Sequence, residues 1–183
     1  MVPKLVGVGG GTGSGKTTLC KNVKKEMGDL LCLISLDNYF YKDSESHNRP
    51  ESINVNKFLE DLDKLMEGDK DTTVLQKEQE YKTRPIIMIE GHLTLSFSEI
   101  FQQLDLSIYV DMDLEERVLR RLERDMEWRD DFKSITSWYR NDVKENHREF
   151  IKPTKEKADL IIWGEINQRR VTVLENILRG LIN

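Results

Sequence analysis

Short apolar runs alternate with longer amphipathic stretches along this chain, and the two patterns divide it into candidate strands and helices. Residues 5–9, 31–36, 86–90, 106–111 and 160–163 are short and apolar, each ending in or followed by Gly, Asp or Glu. Runs of that kind predict strands covered on both faces. Between them, 16–27, 55–66, 113–126, 135–150 and 170–181 carry helical patterns, with Phe58, Leu59, Leu62 and Leu65 marking one face of the second. Strand and helix in alternation predict an α/β fold, a doubly wound, mostly parallel five-stranded sheet with helices on both faces. Ligands in such folds sit beyond the C-terminal ends of the strands. Two segments break the alternation. Residues 38–52 are polar and aromatic, and 68–84 are charged without a period, so both read as loops or excursions at strand ends.

The length of 183 residues predicts a single domain spanning 1–183. Lys plus Arg is 28 against 33 for Asp plus Glu, a net charge of -5. An acidic balance argues against a nucleic-acid partner, whose backbone needs concentrated positive charge. No apolar run approaches the length of a membrane span, and the segment MVPKLVGVGG does not read as a signal peptide. Cys20 and Cys32 cannot build a disulfide framework or a zinc site alone and read as small buried hydrophobes. A cytoplasmic protein away from membranes is the expectation.

The chemistry enters with Gly10, Gly11, Thr12, Gly13, Ser14, Gly15, Lys16, Thr17 and Thr18, which fit G-x-x-x-x-G-K-[ST] between a strand and a helix. Glycines let backbone N–H groups turn inward around phosphate oxygens, and the helix N-terminus adds a positive dipole end. Lys16 supplies a mobile cation for the β- and γ-phosphates, and the Thr17 hydroxyl suits Mg²⁺. Asp37 ends the second strand beside this loop, where it either accepts the proton of an incoming hydroxyl or caps the loop that follows. Tyr39, Phe40 and Tyr41 either wall a pocket for a flat ring or pack against the sheet. Glu90 closes the apolar run 86–90 in the manner of a Walker B carboxylate and suits Mg²⁺ directly or through water. His92 reads as a hydrogen-bonded structural residue. Arg117, Arg121 and Arg124 share one helical face that is able to close over a triphosphate, although the interleaved acids equally describe a solvated helix.

Taken together, GGGTGSGKTT, SLDNYFYKD, IIMIEGHL, YVDMDLEERVLRRLERD and FIKPTKEKADLII resemble, in order and spacing, the uridine kinase family of P-loop nucleoside kinases, over nearly the whole chain. The resemblance implies a P-loop kinase with a helical lid at about 114–134 that moves the ATP γ-phosphate to the 5′-hydroxyl of a ribonucleoside, uridine or cytidine. It implies Gly10 to Thr18 on ATP, Thr17 and Glu90 on Mg²⁺, and Asp37 as the catalytic aspartate with Lys16 and Arg124 as catalytic cations. It places Arg121, with Tyr39 and Phe40, against the nucleoside, and Arg124 and Arg129 on phosphates. A nucleoside and ATP are the partners, with assembly into a homo-oligomer left open. Three departures from the family pattern stand out. Asn48 occupies the diol-facing position where the family carries Asp. The lid segment 127–131 is one residue short and poor in arginine. The base-reading hairpin is not recognisable in 68–84. These departures predict an enzyme that needs a ribose but discriminates weakly among bases. The alternatives are a nicotinamide riboside kinase, which also lacks that hairpin, and a non-catalytic nucleotide-binding relative. A small GTPase would carry Asn-Lys-x-Asp, and this chain does not.

Overall fold

A computed structural model describes residues 2–127 and 131–183. In chain order the strands are β1 (Lys4–Gly9), β2 (Leu31–Ser35), β3 (Thr73–Gln76), β4 (Gln79–Lys82), β5 (Ile86–Glu90), β6 (Leu106–Asp111) and β7 (Leu160–Trp163). Among the described residues, five of them form one parallel sheet in the order β2-β5-β1-β6-β7. The helices are α1 (Lys16–Met27), α2 (Val55–Glu67), α3 (Ser98–Phe101), α4 (Leu114–Met126), α5 (Phe132–Trp138), α6 (Lys144–Asn146) and α7 (Gln168–Ile182). No helix among the described residues is long and apolar enough to cross a membrane.

Side chains of a strand point alternately to its two faces, so a strand buried on both sides must be apolar throughout. β5 shows this directly. Ile86 and Met88 join one core with Val6, Val8, Leu19, Val23, Val171, Leu174 and Leu178, which α1 and α7 cover. Ile87 and Ile89 join the other with Leu5, Ile34, Phe58, Leu62 and Leu65, which α2 covers. The α2 stripe is set by an N-cap, the Asn54 side chain accepting from the Lys57 amide at 3.1 Å, and ends at Gly68.

Two segments differ from expectation. The loop expected at 68–84 contains an antiparallel hairpin, β3 against β4, with Val74 opposite Tyr81. Both face inward at 5% and 2% exposure while their neighbours along each strand are exposed or only partly buried. A short hairpin therefore occupies the segment expected as a loop. The helix expected over 135–150 starts earlier, at Phe132, because the Asp131 side chain accepts from the amides of Lys133 and Ser134. It then widens into π turns at Tyr139–Val143 and His147–Ile151, which flank α6.

Candidate active site

β1 delivers the chain to the glycine loop at the C-terminal edge of the sheet, and α1 leaves it. The loop conformation depends on glycine at Gly13, whose φ is 78°, in the region that side chains avoid. The α1 N-cap is Gly15, which offers no side-chain hydrogen bond, so the first N–H groups of the helix stay open to an anion. Lys16, at 7% exposure, donates from Nζ to the Gly11 carbonyl at 3.0 Å. Burial lowers its pKa, and the nearby Glu90 and Asp37 carboxylates oppose that shift.

Neighbouring strand ends bring in the acids. Glu90, at the end of β5, accepts from Thr17 Oγ1 and Ser35 Oγ, each at 3.0 Å. Asp37 lies in the tight turn Leu36–Tyr39 that follows β2, with its side chain 53% exposed. Partial desolvation pushes its carboxyl up, but His92, Lys16 and His47 outweigh this and hold it below the usual range. His92 Nδ1 stands 3.7 Å from Asp37 Oδ1, and His92 Nε2 pairs with the His47 carbonyl at 2.9 Å. The Phe40 ring lies against both imidazoles, 4.6 Å from His47 and 6.0 Å from His92 between centroids.

The arginines separate by depth. Arg121 donates to Thr12 Oγ1 at 2.6 Å and to Asp125 at 2.8 Å, and its guanidinium lies 4.6 Å from the centre of the Trp138 ring. Arg124 is 54% exposed and pairs with Asp125. Arg117 does not join a closing face. It is 5% exposed beneath the glycine loop, where a Cβ on Gly11 would strike its guanidinium. Arg129 lies outside the described residues.

Two cavities meet here. One, of about 420 Å³, is lined by the P-loop residues with Lys16, Thr17 and Glu90. The other, of about 450 Å³, is lined by Phe40, His47, Asn48 and Trp138. Thr12, Asp37, His92, Arg121 and Arg124 line both. Tyr39 is absent from either wall and corrects the expectation of a substrate contact. Its turn sends it into the core at 2% exposure, edge-on to Phe58 at 5.1 Å, with its hydroxyl donating to Asp61 at 3.3 Å. Sequence reasoning missed Ser35, Trp138 and the Asp142 carboxylate that backs Asn48. Ser35 alone had a signal, standing two residues before Asp37 at the same strand end.

Beneath the loop, Arg117 Nη1 donates to His147 Nε2 at 3.2 Å, so the imidazole is neutral with its proton on Nδ1, and that atom is buried without a partner among the described residues. Burial, then the Arg117, Lys16, Lys152 and His92 charges, push its pKa down from 6.5 to about 4. At pH 7 folded and unfolded chains are both neutral at this site, so nothing is lost. Between pH 6.5 and about 4 the unfolded chain takes a proton that the folded one refuses. That linkage removes up to about 3 kcal/mol of stability as pH falls. His147→Gln keeps an acceptor and cannot titrate, so its urea midpoint is expected to fall less between pH 7 and pH 4.5 than the wild type's. Equal losses in both proteins would show that His147 is not responsible.

Residues 40–169 match the family model described as Phosphoribulokinase / Uridine kinase family. The uridine kinase of Chlamydia pneumoniae is 32% identical over 94% of this chain and 86% of its own length. That of Halobacterium salinarum is 33% identical over 93% and 84%, and that of Clostridium perfringens 34% over 87% and 86%. Among solved structures, a putative fructose transport system kinase from Silicibacter sp. superposes with a TM-score of 0.67 at 16% identity, covering 88% of this chain and 90% of that one. D-glycerate 3-kinase from Cryptococcus neoformans superposes at 0.63 and 14%, covering 88% and 86%. At such identities these two speak for the fold alone.

Proposed function

The chain belongs to the phosphoribulokinase/uridine kinase family, and from that premise we propose that it transfers the γ-phosphoryl group of ATP to the 5′-hydroxyl of a ribonucleoside, uridine or cytidine. The observation that carries this reading is the pair of cavities that share Asp37, Arg121 and Arg124. A phosphoryl transfer needs a donor anion and an acceptor hydroxyl on two sides of one carboxylate, and this arrangement provides that.

In this reading the P-loop N–H groups and Lys16 hold the triphosphate, and Arg124 reaches it from α4. Asp37 receives the 5′-hydroxyl proton as the oxygen–phosphorus bond forms and the bond from the γ-phosphorus to the bridging oxygen breaks, releasing ADP. Thr17 and Glu90 offer a hydroxyl and a carboxylate, hard oxygen donors suited to Mg²⁺. Among the described residues no three acidic, His or Cys side chains cluster as a metal site. An ion held here would fill its shell with phosphate oxygens and water, as Mg²⁺ ordinarily does. Mg²⁺ held there would supply positive charge against the negative charge of the transferring phosphoryl group. Arg121, locked on Thr12 and Trp138, faces the nucleoside side, as do Phe40 and Asn48. Residues 114–134 supply the lid.

The relatives named uridine kinase favour this acceptor over nicotinamide riboside. The test is initial rate with ATP and Mg²⁺ on uridine, cytidine, nicotinamide riboside and adenosine. The pyrimidine nucleosides are expected to exceed the other two in kcat/KM by about tenfold or more. Nicotinamide riboside as the best acceptor would move the assignment to the alternative. Turnover of no ribonucleoside would sink the kinase reading.

A further inference from the structure

Asn48 is 4% exposed on the loop that walls the second cavity, and an amide there can present either of two faces to a ligand. The surrounding bonds remove the choice. Its Nδ2 donates to Asp142 Oδ2 at 2.6 Å. A carboxylate only accepts, so the amine is committed to Asp142 and the amide cannot flip. Among the described residues no donor to Asn48 Oδ1 is found, and Asn48 lines the cavity, which leaves that oxygen available to a ligand.

Asp142 is itself held. Its Oδ1 accepts from Ser46 Oγ and from Asn146 Nδ2, each at 2.7 Å. The same Ser46 oxygen accepts from the Asn48 backbone amide at 3.1 Å, tying loop to helix. Asp142 sits in the π turn Tyr139–Val143, a widened stretch of the kind that recurs at functional positions. Among the described residues no Lys or Arg pairs with it, so three neutral donors and no counter-ion surround its carboxylate. The charge is free to polarise the Asn48 amide, and a polarised amide is a stronger acceptor at its far oxygen.

We propose that Asp142 is a positioning residue for sugar recognition: it locks and polarises Asn48 so that Oδ1 accepts a hydroxyl of the acceptor's ribose. The negative charge that reads the sugar thus stands one residue behind the cavity wall, relayed through an amide. This rests on the nucleoside kinase reading.

The readout is the ratio of kcat/KM for uridine to that for 2′,3′-dideoxyuridine, which lacks both hydroxyls. In Asp142→Asn the new amide donates into Asn48 Oδ1 as readily as it accepts, so the ratio is expected to fall about tenfold, mostly in nucleoside KM, with KM for ATP unchanged. The exchange Asn48→Asp/Asp142→Asn moves the charge to the wall and is expected to restore the ratio to within about threefold, while Asn48→Asp alone sets two carboxylates together and does not. Ser46→Ala removes one tether at little structural cost, so it tests the same point if Asp142→Asn fails to fold, with a fall of about threefold expected. A ratio unchanged in the foldable variants, or equal losses on both nucleosides with no rescue by the exchange, would overturn the proposal while leaving the kinase reading intact. A wild type that phosphorylates neither nucleoside would overturn both.

Discussion

Lys16→Ala is expected to lower kcat by about 10²–10³-fold, the cost of one preorganised electrostatic contact in a phosphoryl-transfer site. The side chain is positioned before any ligand arrives, since its Nζ already bonds the Gly11 carbonyl at 3.0 Å. It is buried among three charges of consequence, with Glu90 and Asp37 favouring its ammonium form and Arg117 opposing it. Alanine removes the cation at the first turn of α1 and keeps a strong helix former there, so the far-ultraviolet spectrum should not change. Steady-state turnover at saturating ATP and nucleoside checks it. Turnover within a few-fold of the wild type would show that the glycine loop does not carry the transfer.

Asp37→Asn is the second large effect. Asparagine preserves the volume and the turn Leu36–Tyr39 but accepts no proton, so kcat should fall by about 10²-fold or more with KM for ATP little changed. Because His92, Lys16 and His47 hold the Asp37 carboxyl below its usual 3.8, it stays ionised throughout the range in which such an enzyme is assayed. The acid limb that it contributes to the rate therefore lies below about pH 4. A variant that lost thermal stability and kept its kcat would mark Asp37 as a loop cap instead.

Local chemistry made much of the sheet and of the phosphate loop readable. A buried parallel strand has to be apolar on both faces, so 86–90 and 106–111 announced themselves, and the glycine loop is a contiguous motif with one geometry. The hairpin was hidden for the opposite reason. Its turn uses Lys77 and Glu78 at φ of 46° and 65°, where tight hairpins ordinarily carry Asn-Gly, and its strands hold few apolar residues. Tyr39 was misplaced because a run of aromatics says nothing about which one a tight turn directs into the core. Several of the contacts that give the site its electrostatics are remote in sequence. Glu90 meets Ser35 across two strands, His92 meets the His47 carbonyl, Arg117 meets His147 and Asn48 meets Asp142. No spacing rule connects such pairs, because the fold alone makes them neighbours.

The widened turns between Phe132 and Ile151 also govern which changes in length the chain can absorb. A π turn holds one residue more than an α turn, so it is where a helix accommodates an insertion without breaking. Deleting a residue from Tyr139–Val143 would restore the tighter winding and keep the turns after it near their present directions, whereas one more residue inserted into this already widened stretch would rotate every side chain after it by about 100°. Asn146 and His147 would swing away from Asp142 and Arg117 together, uncoupling the sugar wall and the underside of the phosphate loop in one step. The exposed stretch 69–71, which lines neither cavity of the site, offers length variation a cheaper place. Libraries built by insertion should therefore recover active members from that loop and lose them along this helix.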